Sequence, residues 1–267
     1  MAELSRLSMN TITVRDRWTL AQCIEGCARH GIRSIDPWRD KLAEYGLANA
    51  VQHFRDAGVR VSGVCRGGLF TAGDSEDENR RAIDEAAALD ADCLVIVTGG
   101  LPAGSKDLPA ARAIVADALA KILPHARAAG VTLALEPLHP MTCADRSVLA
   151  TTAQALHLAK TLGDGVGLAL DVYHIWWDPD LEASIAAAAG HIAAFHVCDW
   201  LVPTRDLVFD RGMMGDGVID IPRIRALVEQ AGYRGPIGVE IMSQQDWWQR
   251  DPDEVLRIAA ERFRICV

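Results

Sequence analysis

The chain has 267 residues, 50% of them hydrophobic and 24% charged, an ordinary globular composition. Its length fits two small domains or one α/β barrel of about 250 residues. A net charge of −9 argues against a nucleic-acid partner, whose phosphates need clustered Lys and Arg.

Strand-like and helix-like segments alternate from end to end. A strand over residues 7–14 leads to an amphipathic helix over 19–30, with Gly31 as its natural stop. A second strand at 33–36 runs into PWRD, and a helix over 46–57 stops at Gly58. The third strand, 60–65, ends in RGG; the helix over 75–89 opens with acidic residues suited to its first turn. Strand four, 92–97, ends in TGG, before a long helix over 108–129 with Pro124 inside it. Strand five covers 131–136 and its helix 146–162; strand six covers 166–171 and its helix 180–189. Strand seven, 192–196, is followed by a long loop over 198–217. The next helix starts at the N-cap Asp220 with Pro222 in its first turn. Strand eight covers 236–241, and a final helix from Asp251–Pro252 runs to the C-terminus.

Eight such units with apolar strands predict a parallel sheet covered by helices, closed as a single (β/α)8 TIM barrel over residues 1–267. A doubly wound sheet is the competitor. It carries a glycine-rich turn after its first strand, and MNTITVRD has no glycine. The segment MAELSRLSMN lacks the apolar core of a signal peptide. No apolar run reaches the roughly 18 residues of a membrane span, so no membrane partner is expected. Seven cysteines without CxxC spacing read as buried free thiols of a reducing compartment, here the cytoplasm.

Four apolar runs each end on a metal-type ligand: VTLALEP at Glu136, VGLALDVYH at Asp171, IAAFHVCD at His196 and PIGVEIM at Glu240. The intervals are 35, 25 and 44 residues, near the roughly 30 residues of one strand–helix unit. All four therefore fall at the C-terminal ends of successive strands, where a barrel builds its active site. Charged groups there are costly to bury unless paired or bound to a cation. Ion pairing is the plainer alternative for one such residue, and a shared divalent-metal site fits four. Three carboxylates and one imidazole suit Mn²⁺ first, and also Mg²⁺, Co²⁺ or Zn²⁺. Cys198 adds a thiol that could line the site.

His174, three residues after Asp171, reads as a substrate hydrogen-bond donor or as a loop histidine capping a carbonyl. Trp176, Trp177, Trp200, Trp247 and Trp248 place five of the seven tryptophans in loops on the same side. They suit either a polyol-binding surface or an interface within a homo-oligomer.

On these residues the chain resembles the xylose-isomerase-like barrel superfamily, with parallels to ketose 3-epimerases and to inosose isomerases and dehydratases. The resemblance implies that Glu136, Asp171, His196 and Glu240 hold the metal. It further implies that Glu136 and Glu240 move protons, that His174 contacts a substrate hydroxyl, and that Arg205 or Arg211 binds substrate. The epimerases carry a further acid shortly after the first ligand, where this chain has His139, Pro140, Met141 and Thr142. The endonuclease IV branch needs extra histidines that strand ends three and four and the segment 215–220 lack.

The expected chemistry is proton removal beside a metal-bound carbonyl of a small sugar, keto-sugar or cyclitol, through a metal-stabilised enediolate. Returning the proton gives isomerisation or epimerisation; expelling a leaving group gives a dehydratase or β-elimination lyase. His139 and Arg146 are candidates for the group that decides between them. A non-catalytic sugar-binding barrel is the remaining alternative.

Overall fold

The computed structural model describes residues 2–73 and 75–267. Its strands are β1 (Leu7–Asn10), β2 (Ser34–Asp36), β3 (Arg60–Val61), β4 (Val64–Gly68), β5 (Leu94–Val97), β6 (Leu133–Leu135), β7 (Val166–Asp171) and β8 (Ile192–Val197). A short antiparallel hairpin, β9 (Asp199–Trp200) with β10 (Arg211–Gly212), precedes β11 (Ile237–Val239). The helices are α1 (Leu20–Arg29), α2 (Arg39–Tyr45), α3 (Leu47–Ala57), α4 (Glu76–Ala88), α5 (Leu108–Ala129), α6 (Thr152–Leu162), α7 (Val172–Ile175), α8 (Leu181–Ala187), α9 (Ile221–Gln230) and α10 (Pro252–Cys266).

All the strands outside the hairpin pair in parallel, in the order β3-β2-β1-β11-β8-β7-β6-β5-β4. The third barrel strand is split, β3 pairing with β2 and β4 with β5. A bridge between Trp38 and Cys65 spans the seam. The result is the expected (β/α)8 barrel. Among the described residues no helix is long and apolar enough to cross a membrane.

The alternation of side chains along each strand sorts the barrel. In β7, Leu168 and Leu170 pack outward in the main core beneath the helices, while Ala169 belongs to a small inner cluster with Ala134, Val95 and Ala194. The same period sends Leu133 and Leu135, Phe195 and Val197, and Ile237 and Val239 outward. Burying each large aliphatic outward residue stabilises the barrel by about 1.5–3 kcal/mol. It also leaves the residue at the strand's end facing in.

Side-chain caps move several predicted boundaries. The first strand stops at Asn10, whose side chain accepts from the Ile12 amide and turns residues 11–14 into a 3-10 turn. The predicted third strand breaks at residues 62–63, where the Ser62 hydroxyl turns to Asp36. The helix expected from residue 146 starts at Thr152, capped by Thr151. Residues 146–148 instead run extended beside Gly99, through amide bonds of 3.1 and 2.9 Å. The helix over 108–129 forms as expected and continues through Pro124.

Candidate active site

Asp171 ends β7 and His196 lies in β8, while Glu136 and Glu240 follow directly on β6 and β11. All four are buried. Beneath each, two positions earlier, sits a small residue: Ala134, Ala169, Ala194 or Gly238. The ligand-type side chains thus stand on a floor of little volume.

His196 Nδ1 lies 3.2 Å from Glu240 Oε2 and 3.9 Å from Glu136 Oε1. These are ion-pair distances, yet among the described residues the buried Nδ1 has no hydrogen-bond partner of acceptable geometry. Glu136, His196 and Glu240 offer ligand atoms all within 4.8 Å of one another, as do Glu136, Asp171 and His174. Glu136 belongs to both groups. A nitrogen left unsatisfied and aimed at two carboxylates, with a third close by, fits a divalent cation bound by oxygen and imidazole donors.

Electrostatics separates the carboxylates. Burial, reinforced by Glu240 and Asp171, pushes Glu136 up to about 8. Burial also raises Asp171, against the opposing charge of Arg211. Burial alone would raise Glu240 too, but the His196 contact, Arg211 and Arg146 hold it below the usual carboxylate range. For His196, burial opposes charge, yet Glu240, Asp36 and Glu136 outweigh it and raise the imidazole to about 10.

Arg211 reaches in from β10. Its Nη1 sits 2.8 Å from Asp171 Oδ2 and 3.8 Å from Glu240 Oε2, and its guanidinium covers the Tyr173 ring at 4.4 Å. Its Nη2 is 3.2 Å from His174 Nε2. Asp171 accepts from the Tyr173 amide and so starts α7, the short helix that brings His174 to the site. His174 Nδ1 accepts from the His139 amide at 3.1 Å. Burial, with Arg211 beside it, holds His174 well below the usual histidine range, so it is neutral.

A narrow cavity opens here, lined by Glu136, Glu240, His174, Arg211, Arg146, Arg66 and Trp38 among others. Arg205 is turned away: its side chain pairs with Asp210. His139 packs its ring against Trp200 and Trp177 at 5.1 and 5.6 Å. Trp176 lies against Trp200 at 5.7 Å. These residues back the site rather than line the cavity. Cys198 lies behind the guanidinium, 3.9 Å from Arg211 Nη1.

Sequence reasoning missed Trp38, Arg66, Asn10 and Asp36. Asn10 donates to Glu240 Oε1 at 3.2 Å. Asp36, fully buried, accepts from Ser62 at 2.6 Å and Ser8 at 3.1 Å. Both close short strands, as Asp171 does, so a comparable signal was present in LSMN and SID.

Residues 24–266 match the family described as xylose isomerase-like TIM barrel. The chain is 32% identical to L-ribulose-5-phosphate 3-epimerase UlaE of Escherichia coli K12 over 130 residues, 48% of this chain and 42% of that protein. It thus spans less than half the length of that curated relative. Protein SMc04130 of Sinorhizobium meliloti 1021 superposes with a TM-score of 0.97 at 52% identity, covering 99% of both chains. The IOLI protein with a zinc atom bound shares the fold, with a TM-score of 0.84 at 22% identity over 96% of each chain. The chain belongs to the xylose isomerase-like TIM-barrel family.

Proposed function

We propose that this protein is a metal-dependent isomerase or epimerase of a small sugar, keto-sugar or cyclitol. The observation that carries this reading is the convergence of Glu136, Asp171, Glu240 and the unsatisfied His196 Nδ1 at one barrel mouth. The activity of the curated relative, an L-ribulose-5-phosphate 3-epimerase, supports the same class. The four residues would hold one divalent cation, with Mn²⁺ the first candidate and Mg²⁺, Co²⁺ or Zn²⁺ also suited to the donors. Bound there, the cation would polarise the carbonyl of a keto sugar and make the neighbouring C–H easier to ionise.

The protein's own groups divide the proton work. Two carboxylates whose environments push their proton affinities apart are suited to opposite roles. Glu240, held ionised, and Glu136, pushed toward its protonated form when no cation is bound, are the two carboxylates suited to taking and returning the proton. Neutral His174, fixed through Nδ1, presents Nε2 to a substrate oxygen beside Arg211. Trp38 and Met242 cover part of the cavity with apolar surface that limits water. The seven unpaired thiols fit a reducing compartment such as the cytoplasm.

Proton NMR in D₂O with a panel of keto sugars tests the reading. Deuterium should enter at the carbon beside the carbonyl without loss of a leaving group. Loss of a leaving group would instead identify a lyase. Equal exchange by wild type, Glu136→Gln and Glu240→Gln would remove the basis for either.

A further inference from the structure

We infer that the substrate carries an anionic group, a phosphate monoester or a carboxylate, held at the cavity mouth by Arg66 and Arg146. This inference rests on the metal-site reading above. Three arginines line the cavity, and among the described residues only Arg211 forms ion pairs, with Asp171 and Glu240. The half-buried side chains of Arg66 and Arg146 make no hydrogen bond or ion pair among the described residues; Arg66 meets only the Trp38 ring, at 6.0 Å.

The placement of charge points the same way. Asp171 and Glu240 pair with Arg211. Asp145, Glu136 and Glu240 act on Arg146 only through space, with no ion pair among the described residues. Arg66 and Arg146 repel each other: burial, then Arg66 and Arg211, disfavours the charge on Arg146. Two half-desolvated guanidinium groups with no protein acceptor are a costly arrangement unless a ligand supplies one. A planar fork of donors matches a carboxylate or phosphate in two-point contact.

Their placement gives the substrate a direction. Arg66, Arg146, Trp38 and Met242 line both the inner cavity and an adjoining outer groove with Gln244 and Trp248. An anion bound there sits at the rim, and the reacting carbons reach inward to Glu136 and Glu240. A neutral sugar would lack this anchor.

Glycerol 3-phosphate, glycerate and glycerol form a matched probe series. Their affinities for the full-length protein, with and without added Mn²⁺, are read by calorimetry at low salt. At least one anion should bind tenfold or more tightly than glycerol, and the stronger of the two names the group. Arg66→Gln and Arg146→Gln should each weaken that anion, and together reduce it to the level of glycerol, with unchanged thermal midpoints. Equal binding of all three probes, or a preference that survives the double substitution, would overturn the inference. The metal chemistry is judged separately. Deuterium uptake from keto sugars, together with probe binding that ignores charge or the double substitution, refutes the anion anchor and keeps the chemistry. An arginine-dependent anion preference without any uptake keeps the anchor and refutes the chemistry.

Discussion

Replacing Gly238 by alanine would strike the site from below. Gly238 pairs in register with Ser8 on one side and His196 on the other. An added Cβ would lie 2.6 Å from Asp36 Oδ2 and 2.8 Å from His196 Cδ2. Ordinary contact begins at 3.4 Å, so the overlaps are 3.4 − 2.6 = 0.8 Å and 3.4 − 2.8 = 0.6 Å. Asp36 cannot withdraw freely, because Ser8 and Ser62 hold both its oxygens. The ring of His196 must then turn, taking Nδ1 away from Glu240 and Glu136. Overpacking of this size costs about 2 kcal/mol, or roughly 4–8 °C in Tm for a chain this long. If His196 holds the cation as proposed, disturbing its support should weaken divalent-cation binding by about 10–100-fold. Circular dichroism melts and calorimetric titration with Mn²⁺ and Zn²⁺ measure the two effects. Gly167→Ala is the control. Its Cβ would crowd Ala193 Cβ and the His191 carbonyl, both at 2.9 Å, four residues before Asp171. It should lower Tm and leave cation affinity alone. Wild-type Tm and cation affinity in Gly238→Ala would refute the placement of Asp36 against the His196 ring.

Other perturbations reach the same centre by different routes. Glu136 is raised from 4.5 to about 8, so its contribution to chelator-treated protein is fully present below about pH 4.5 and lost as pH rises through about 8. Glu136→Gln should therefore be more stable than wild type at pH 9 without metal, with the gap closing toward pH 5; urea melts across that range would show it. Arg211→Met removes the counter-ion of buried Asp171 and should cost about 3–5 kcal/mol in chelator-treated protein. Saturating Mn²⁺ should recover part of that loss, whereas an undiminished deficit in Tm would show that the cation does not reach Asp171. Asp199 accepts from the amides of Gly215 and Gly217 at 2.9 and 2.8 Å and of Ile219 at 3.0 Å. Asp199→Ala should destabilise by about 2–4 kcal/mol through those lost charge-assisted bonds, read as faster hydrogen exchange over residues 213–219.

The barrel was legible because long apolar runs and strand–helix spacing are properties of the chain itself. Glu136, Asp171, His196 and Glu240 were legible because each breaks such a run at its end. Asn10 and Asp36 carry a comparable mark, but Asn is not a usual metal ligand and Asp36 precedes a proline turn, so neither suggested a site. Arg66 and Trp38 depend on how the split third strand and the PWRD segment fold back over the mouth, which no local pattern records. Arg205 and Arg211 could not be separated in sequence. Only the hairpin of β9 and β10 turns one inward and leaves the other with Asp210. The aromatic loops divide in the fold: Trp176, Trp177 and Trp200 pack on one another and on His139, while Trp248 lines the outer groove.

The small residue two places before each ligand-type side chain has a further meaning. A slip of one residue in any of the four strands would turn a Leu, Phe, Ile or Val into the barrel and a carboxylate or imidazole into the helix layer. If the four residues hold a cation as proposed, its binding and correct strand registry are one event seen from two sides. A misthreaded barrel would be silent to metal, so a stoichiometric metal titration would count the correctly threaded molecules in a preparation.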